Sequence, residues 1–173
     1  DELEESGEGL FFPVGDDMGF IKDIGNKDIR SEGMSYGMMI AVQMDDRPMF
    51  DKLWRFTERY MQHKSGWFEG YFAWHLSPRE PFRKIDDNPA PDGELYFAMA
   101  LYFAQNKWGS GDGVLNYKLH ADAILNNMVN KPESDTSVPM FSKERLQILF
   151  VTEKATGLFT DPSYHLPAFY ELF

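Results

Sequence analysis

Three acidic residues, Glu32, Asp92 and Asp161, each stand where the sequence predicts the start of a helix. Two carboxyl groups brought close together raise each other's affinity for a proton, and a carboxyl that keeps its proton near neutral pH is what a general acid requires. Capping accounts for each acid equally well in isolation, because helix N-termini favour carboxylates and Asp is a common N-cap. That alternative is strongest for Asp161, where Pro162 completes the capping pattern. Chemistry by Glu32 and Asp92 thus depends on a fold that makes their helix starts converge.

A rival motif is present. Gly33-Met34-Ser35-Tyr36-Gly37 matches the G-x-S-x-G nucleophile elbow, with Asp161 and His165 further on. The elbow needs a buried strand running into its Ser, whereas Gly25 to Glu32 is polar, and an Asp and His one helical turn apart do not have the layout of a triad. The four histidines (63, 75, 120, 165) show no ligand spacing of the H-E-x-x-H kind, so no metal is expected. Gly109 to Gly113 lacks the Lys-Ser/Thr of a phosphate-binding loop, and no nucleotide or other cofactor is implied.

Composition narrows the partner. The formal charge is −11 with no Lys/Arg-rich run, which argues against nucleic acid and anionic membrane and fits a neutral polar ligand. No apolar run approaches the ~18–20 residues of a membrane span. Cysteine is absent, which excludes disulfides and thiolate metal sites but does not locate the protein in any compartment. Aromatic residues make up 16% of the chain, and several lie in the polar, Gly-containing run from Gly66 to Trp74. Their flat faces suit the C–H faces of a pyranose, although core packing accounts for most aromatic rings.

The elements that must position these residues are helical. Asp1 to Leu10 reads as an acidic tail, and residues 11–173 as one domain that opens with a Gly- and Asp-rich loop. Ser31 reads as the N-cap of a helix over about 32–44, with Met34, Met38, Met39 and Val42 at helical spacing. A second helix from about Pro48 carries Phe50, Leu53, Trp54, Phe56, Tyr60 and Met61. Asp92 precedes the almost wholly apolar run to Ala104, and a more polar helix from Tyr117 to Asn130 places Leu119, Ala123, Ile124 and Met128 on one face. Residues 132–156 read as irregular with a short strand near Leu146 to Thr152, and Asp161-Pro162 opens a helix to the last residue. Apolar helices thus begin near residues 32, 92 and 162, with more polar partners between them. The pattern predicts an all-α toroid of helical hairpins in which the inner N-termini share one mouth.

Asp28-Ile29-Arg30-Ser31-Glu32-Gly33-Met34-Ser35-Tyr36-Gly37-Met38-Met39 resembles the signature of glycoside hydrolase family 8, whose glutamate is the general acid. Ala90-Pro91-Asp92-Gly93-Glu94 resembles its second motif, whose aspartate binds sugar at the cleavage point. Asp161-Pro162-Ser163-Tyr164-His165-Leu166-Pro167-Ala168-Phe169-Tyr170 resembles its third, whose tyrosine lies near the hydrolytic water. The wording, including Tyr71-Phe72-Ala73-Trp74, is nearest to the reducing-end xylose-releasing exo-oligoxylanases of the family.

The resemblance implies an (α/α)6 barrel of which the chain holds about half, and an inverting hydrolase of β-1,4-linked xylo-oligosaccharide. Glu32, Asp92 and Tyr164 would be the catalytic residues, and Trp74, Tyr71, Trp67 and Tyr36 the substrate-binding ones, with Trp74 the first choice. The family's base aspartate belongs to the other half of the barrel, so these residues alone would be inactive. The alternatives are a non-catalytic sugar-binding module and a family endoglucanase or chitosanase.

Overall fold

The computed structural model describes residues 9–156 and 159–173, so most of the expected acidic tail lies outside the described residues. Helix α1 (Ser31–Gln43) buries Met34, Met38, Met39 and Val42. Its expected cap is corrected. Ser31 does not cap the helix; Arg30 occupies the N-cap position in extended geometry, with no capping hydrogen bond from its side chain. The cause is that Arg30 ends a strand, while the Ser31 N–H, a donor that a cap would otherwise satisfy, already donates to the Trp74 carbonyl at 2.9 Å.

Helix α2 (Arg47–Phe56) starts conventionally, because the Asp46 carboxylate accepts the Met49 N–H at 3.0 Å, and it passes into a π-turn over Thr57–Met61. It packs on α1. Helix α3 (Pro91–Trp108) buries Leu95, Phe97, Ala98, Met99, Ala100, Leu101 and Ala104, and Gly109 ends it at φ +72°, a left-handed conformation that glycine adopts freely. It lies between α1 and α4 (Tyr117–Asn130). The buried stripe of α4 is Tyr117, Ala121, Ile124 and Met128, which corrects the expected face: Leu119 is exposed and Ala123 lies outside the core.

The third inner helix differs more. Asp161 caps a single 3-10 turn at Pro162–Tyr164, accepting the Ser163 N–H, and helix α5 (Pro167–Leu172) begins only afterwards. Pro167 interrupts what reads as one helix, because it lacks an N–H and forces Leu166 out of the helical region.

Of the short strands, only the one expected near Leu146 to Thr152 is legible in the sequence, and it is found at Gln147–Ile148. Strands β1 (Phe11–Val14) and β2 (Met18–Ile21) form a hairpin against α2, β3 (Ile29–Arg30), β4 (His75–Leu76) and β5 (Lys84–Asp86) form a small antiparallel sheet, and β6 (Phe141–Ser142) pairs with β7 (Gln147–Ile148). The middle sheet matters most, because it leads β3 directly into the helix that carries Glu32. Among the described residues no helix is long and apolar enough to cross a membrane.

Candidate active site

The N-termini of α1 and α3 approach closely enough that a Cβ at Gly93 would lie 2.7 Å from Ser31 Oγ. Only glycine fits there. Glu32 stands in the first turn of α1 and Asp92 in the first turn of α3, so the two carboxyls meet at the mouth that the hairpin pattern predicts. Asp92 does not cap its helix, and one of its carboxyl oxygens and one of Glu32's are buried without a hydrogen-bond partner.

Burial and then the neighbouring Glu32 push the Asp92 carboxyl up to about 6, against a smaller lowering by the Gly93 and Asp92 N–H groups. A raised carboxyl stabilises the fold below the unfolded value near 4 and loses that contribution as pH rises through about 6. Asp92→Asn is therefore expected to melt higher than the wild type at pH 8, by the equivalent of ~1–3 kcal/mol. The gap should close by pH 4, which thermal melts across this range would check. Equal melting at pH 8 would show that Asp92 carries no such burden.

Glu32 lines a cleft of about 290 Å³ together with Trp74, Asp86, Asn88, Phe150 and Tyr164. The Tyr164 ring stacks on Phe150 with centroids 5.0 Å apart, and its hydroxyl is pushed up by burial and then by the charges of Asp92 and Glu32. Tyr36, which is partly exposed, meets Tyr96 edge-on at 4.7 Å, and its hydroxyl is raised by burial and then by Asp92. Glu32, Asp92, Tyr36 and Tyr164 thus form one electrostatically connected group.

Trp74 reaches the cleft as a half-buried ring with the Arg30 guanidinium 5.5 Å from its centroid. Arg30 is held in turn by two hydrogen bonds to Asp28, at 3.1 and 3.2 Å, and Asp28 Oδ2 lies 2.9 Å from His75 Nε2. Asp86 faces the same cleft. Burial raises its carboxyl, but hydrogen bonds from the Asn88 backbone, the Trp74 ring and the Asn88 side chain outweigh that and hold it below the ordinary value.

Two expected ligand contacts are not brought to the cleft. Tyr71 is fully buried, and its hydroxyl donates to the Asn127 carbonyl at 2.9 Å. The Trp67 ring N–H donates to the Pro132 carbonyl at 2.9 Å, beside Lys131. Both rings belong to the seam between the 61–73 segment and α4 and its C-terminal end. The reason is that Gly66 and Gly70, both at positive φ, fold the aromatic run back on itself, so its two ends meet different neighbours. The serine-hydrolase reading also finds no support: Ser35 is buried and donates to the Glu32 carbonyl within its own helix.

Asp86, Asn88 and Phe150 escaped sequence reasoning. A partial signal exists for the first two, because Asp86 Oδ1 accepts the Asn88 N–H at 3.0 Å, a turn that Asp-x-Asn before a proline favours. Phe150 offers none.

Comparison with known proteins identifies the family and the fold. The model of the family described as glycosyl hydrolases family 8 matches residues 17–173. Reducing-end xylose-releasing exo-oligoxylanase Rex8A of Paenibacillus barcinonensis is 49% identical over 164 residues, which are 95% of this chain and 42% of that protein. The exo-oligoxylanase of Bifidobacterium adolescentis is 40% identical over 172 residues, 99% of this chain and 44% of that one. Endoglucanase A of Acetivibrio thermocellus is more distant, at 31% over 150 residues. The solved structure of Rex8A complexed with xylose superposes with a TM-score of 0.88, covering 95% of this chain and 42% of that chain. The chain thus spans less than half the length of the exo-oligoxylanases it matches, and its hairpins are those of the (α/α)6 barrel, about half of which it holds.

Proposed function

This chain belongs to glycosyl hydrolase family 8, and on that premise we propose that it is the acid-bearing part of an inverting hydrolase that releases xylose from the reducing end of β-1,4-linked xylo-oligosaccharides. The observation that supports this most is the meeting of Glu32 and Asp92, distant in sequence, at the converging starts of α1 and α3.

In an inverting reaction one carboxylic acid protonates the departing glycosidic oxygen while a carboxylate on the opposite face takes a proton from the attacking water, the two lying ~6.5–9.5 Å apart. Glu32 supplies the proton, since its carboxyl opens onto the cleft from a rigid helical turn. Asp92, held beside it, accepts hydrogen bonds from sugar hydroxyls and favours a distorted ring. Tyr164 orients the water. Trp74 offers its ring as a stacking face and Tyr36 adds a hydroxyl at the rim, while the water-activating base comes from the other half of the barrel. Similarity to the Rex8A structure complexed with an α-L-arabinofuranosyl-xylotetraose supports a xylo-oligosaccharide as the ligand.

Substrate preference is tested by parallel hydrolysis of xylotriose and cellotriose by the full-length protein. Xylotriose is expected to be cleaved faster, with xylose as the first product. Faster cleavage of cellotriose would place the protein with the endoglucanases of the family.

A further inference from the structure

Glu94 has no part in the mechanism above, yet it is the most deeply enclosed acid among the described residues, with no exposed surface at all. One carboxyl oxygen accepts the Phe72 N–H at 3.0 Å, and the other is buried without a partner. Burying an acid with one oxygen unpaired costs stability.

That bond completes a frame around Trp74. The Trp74 N–H donates to the Asn88 carbonyl at 3.0 Å, its carbonyl accepts the Ser31 N–H at 2.9 Å, and the Ala73 N–H donates to the Met61 carbonyl at 2.9 Å. Ser31 adjoins Glu32, so one of these bonds fixes Trp74 relative to the acid. Glu94 sits one residue beyond Gly93 in the turn that carries Asp92, so its bond to Phe72 fixes the same segment relative to Asp92. The Phe72 ring packs on Phe97 of α3 at 5.0 Å and on Trp54 at 6.0 Å, which holds the side chain but leaves the backbone N–H to Glu94 alone.

We infer that Glu94 is a positioning residue for substrate binding: through the Phe72 N–H it fixes the Trp74 ring against the turn that carries Asp92. Burial raises its carboxyl well above the ordinary value, the Phe72 N–H opposes that, and Asp92 adds to it. An amide, which keeps the acceptor oxygen and adds no charge, should replace it. The inference rests on the reading above, in which Trp74 carries a sugar.

Steady-state kinetics on xylotriose with the full-length protein provide the test. Glu94→Met keeps side-chain length and removes the acceptor; it is expected to raise KM about tenfold with kcat within about threefold, the pattern of lost ground-state binding. Glu94→Gln is expected to restore both constants to within about twofold of wild type. In a double-mutant cycle, Glu94→Met added to Trp74→Ala should raise KM no further than Trp74→Ala alone, because both remove the same contact. Multiplying effects in the double mutant, or a fall in kcat at unchanged KM, would overturn the inference and leave Glu94 a merely structural acid. Should Glu94→Met fail to fold, Glu94→Asp decides, because it stops one methylene short of the Phe72 N–H: a raised KM at held kcat upholds the acceptor role, and a wild-type KM refutes it. A wild type that neither cleaves nor binds xylotriose fails differently, since it removes the proposed function rather than the role of Glu94.

Discussion

Replacing Glu32 by Gln in the full-length protein is expected to lower kcat on xylotriose by ~10²–10⁴-fold or more, with KM little changed. Gln keeps the size and hydrogen-bonding shape of the side chain but has no proton to give to the departing oxygen. A sugar leaving group is poor, so the loss should fall at or beyond the upper end of that range. Binding should survive, because Trp74, Asp92 and Tyr164 are untouched and the first turn of α1 is fixed by the Ser31 N–H to Trp74 bond rather than by Glu32. A sugar-binding module would behave in the opposite way, showing binding in both forms and turnover in neither. A mutant that keeps more than about a tenth of the wild-type rate would remove Glu32 from the acid role.

The 173 residues on their own are expected to give no turnover above that of the same chain carrying Glu32→Gln. Inversion needs a carboxylate across the sugar from the acid, and the other acids near the cleft are otherwise engaged. Asp86 accepts hydrogen bonds from Asn88, Asp161 caps a turn through Ser163, and Asp92 is buried beside Glu32 on the acid's own side. The isolated chain is also expected to self-associate, which light scattering would show. The surface responsible is not the apolar helix α3, as its sequence suggests, because α1 and α4 cover it. It is the stripe of Tyr36, Ile40 and Met44 on and just beyond α1, where Ile40 is 61% and Met44 74% exposed. A monodisperse monomer with genuine turnover would mean that one of the engaged acids serves as base.

How much of this was legible follows from the length of each signal. Helices α1, α2 and α4 are legible as apolar residues at helical spacing and α3 as one long apolar run, and from those helix starts the sequence predicts that Glu32 and Asp92 converge. Strands of two to four residues carry no such period, so the sheet that feeds β3 into α1 went unseen, and with it the reason Ser31 needs no cap. Pro167 is visible in the sequence, but the capping signal of Asp161 masks the break it makes. Tyr71 and Trp74 look alike in sequence, and only the turns at Gly66 and Gly70 send one to the core and the other to the cleft. Asp86 was hidden because its value to the site lies in what it holds, the Trp74 ring, and no spacing reports that.

The central claim is that Glu32 acts as the acid of an inverting reaction, and the anomeric form of the first product tests it most directly. Proton NMR of the full-length protein acting on xylotriose should show the newly formed reducing end first as the α-anomer, before mutarotation mixes the two. First appearance of the β-anomer would mean retention, hence a nucleophile only ~5–5.5 Å from the acid, and would contradict both the role given to Glu32 and the need for a distant base.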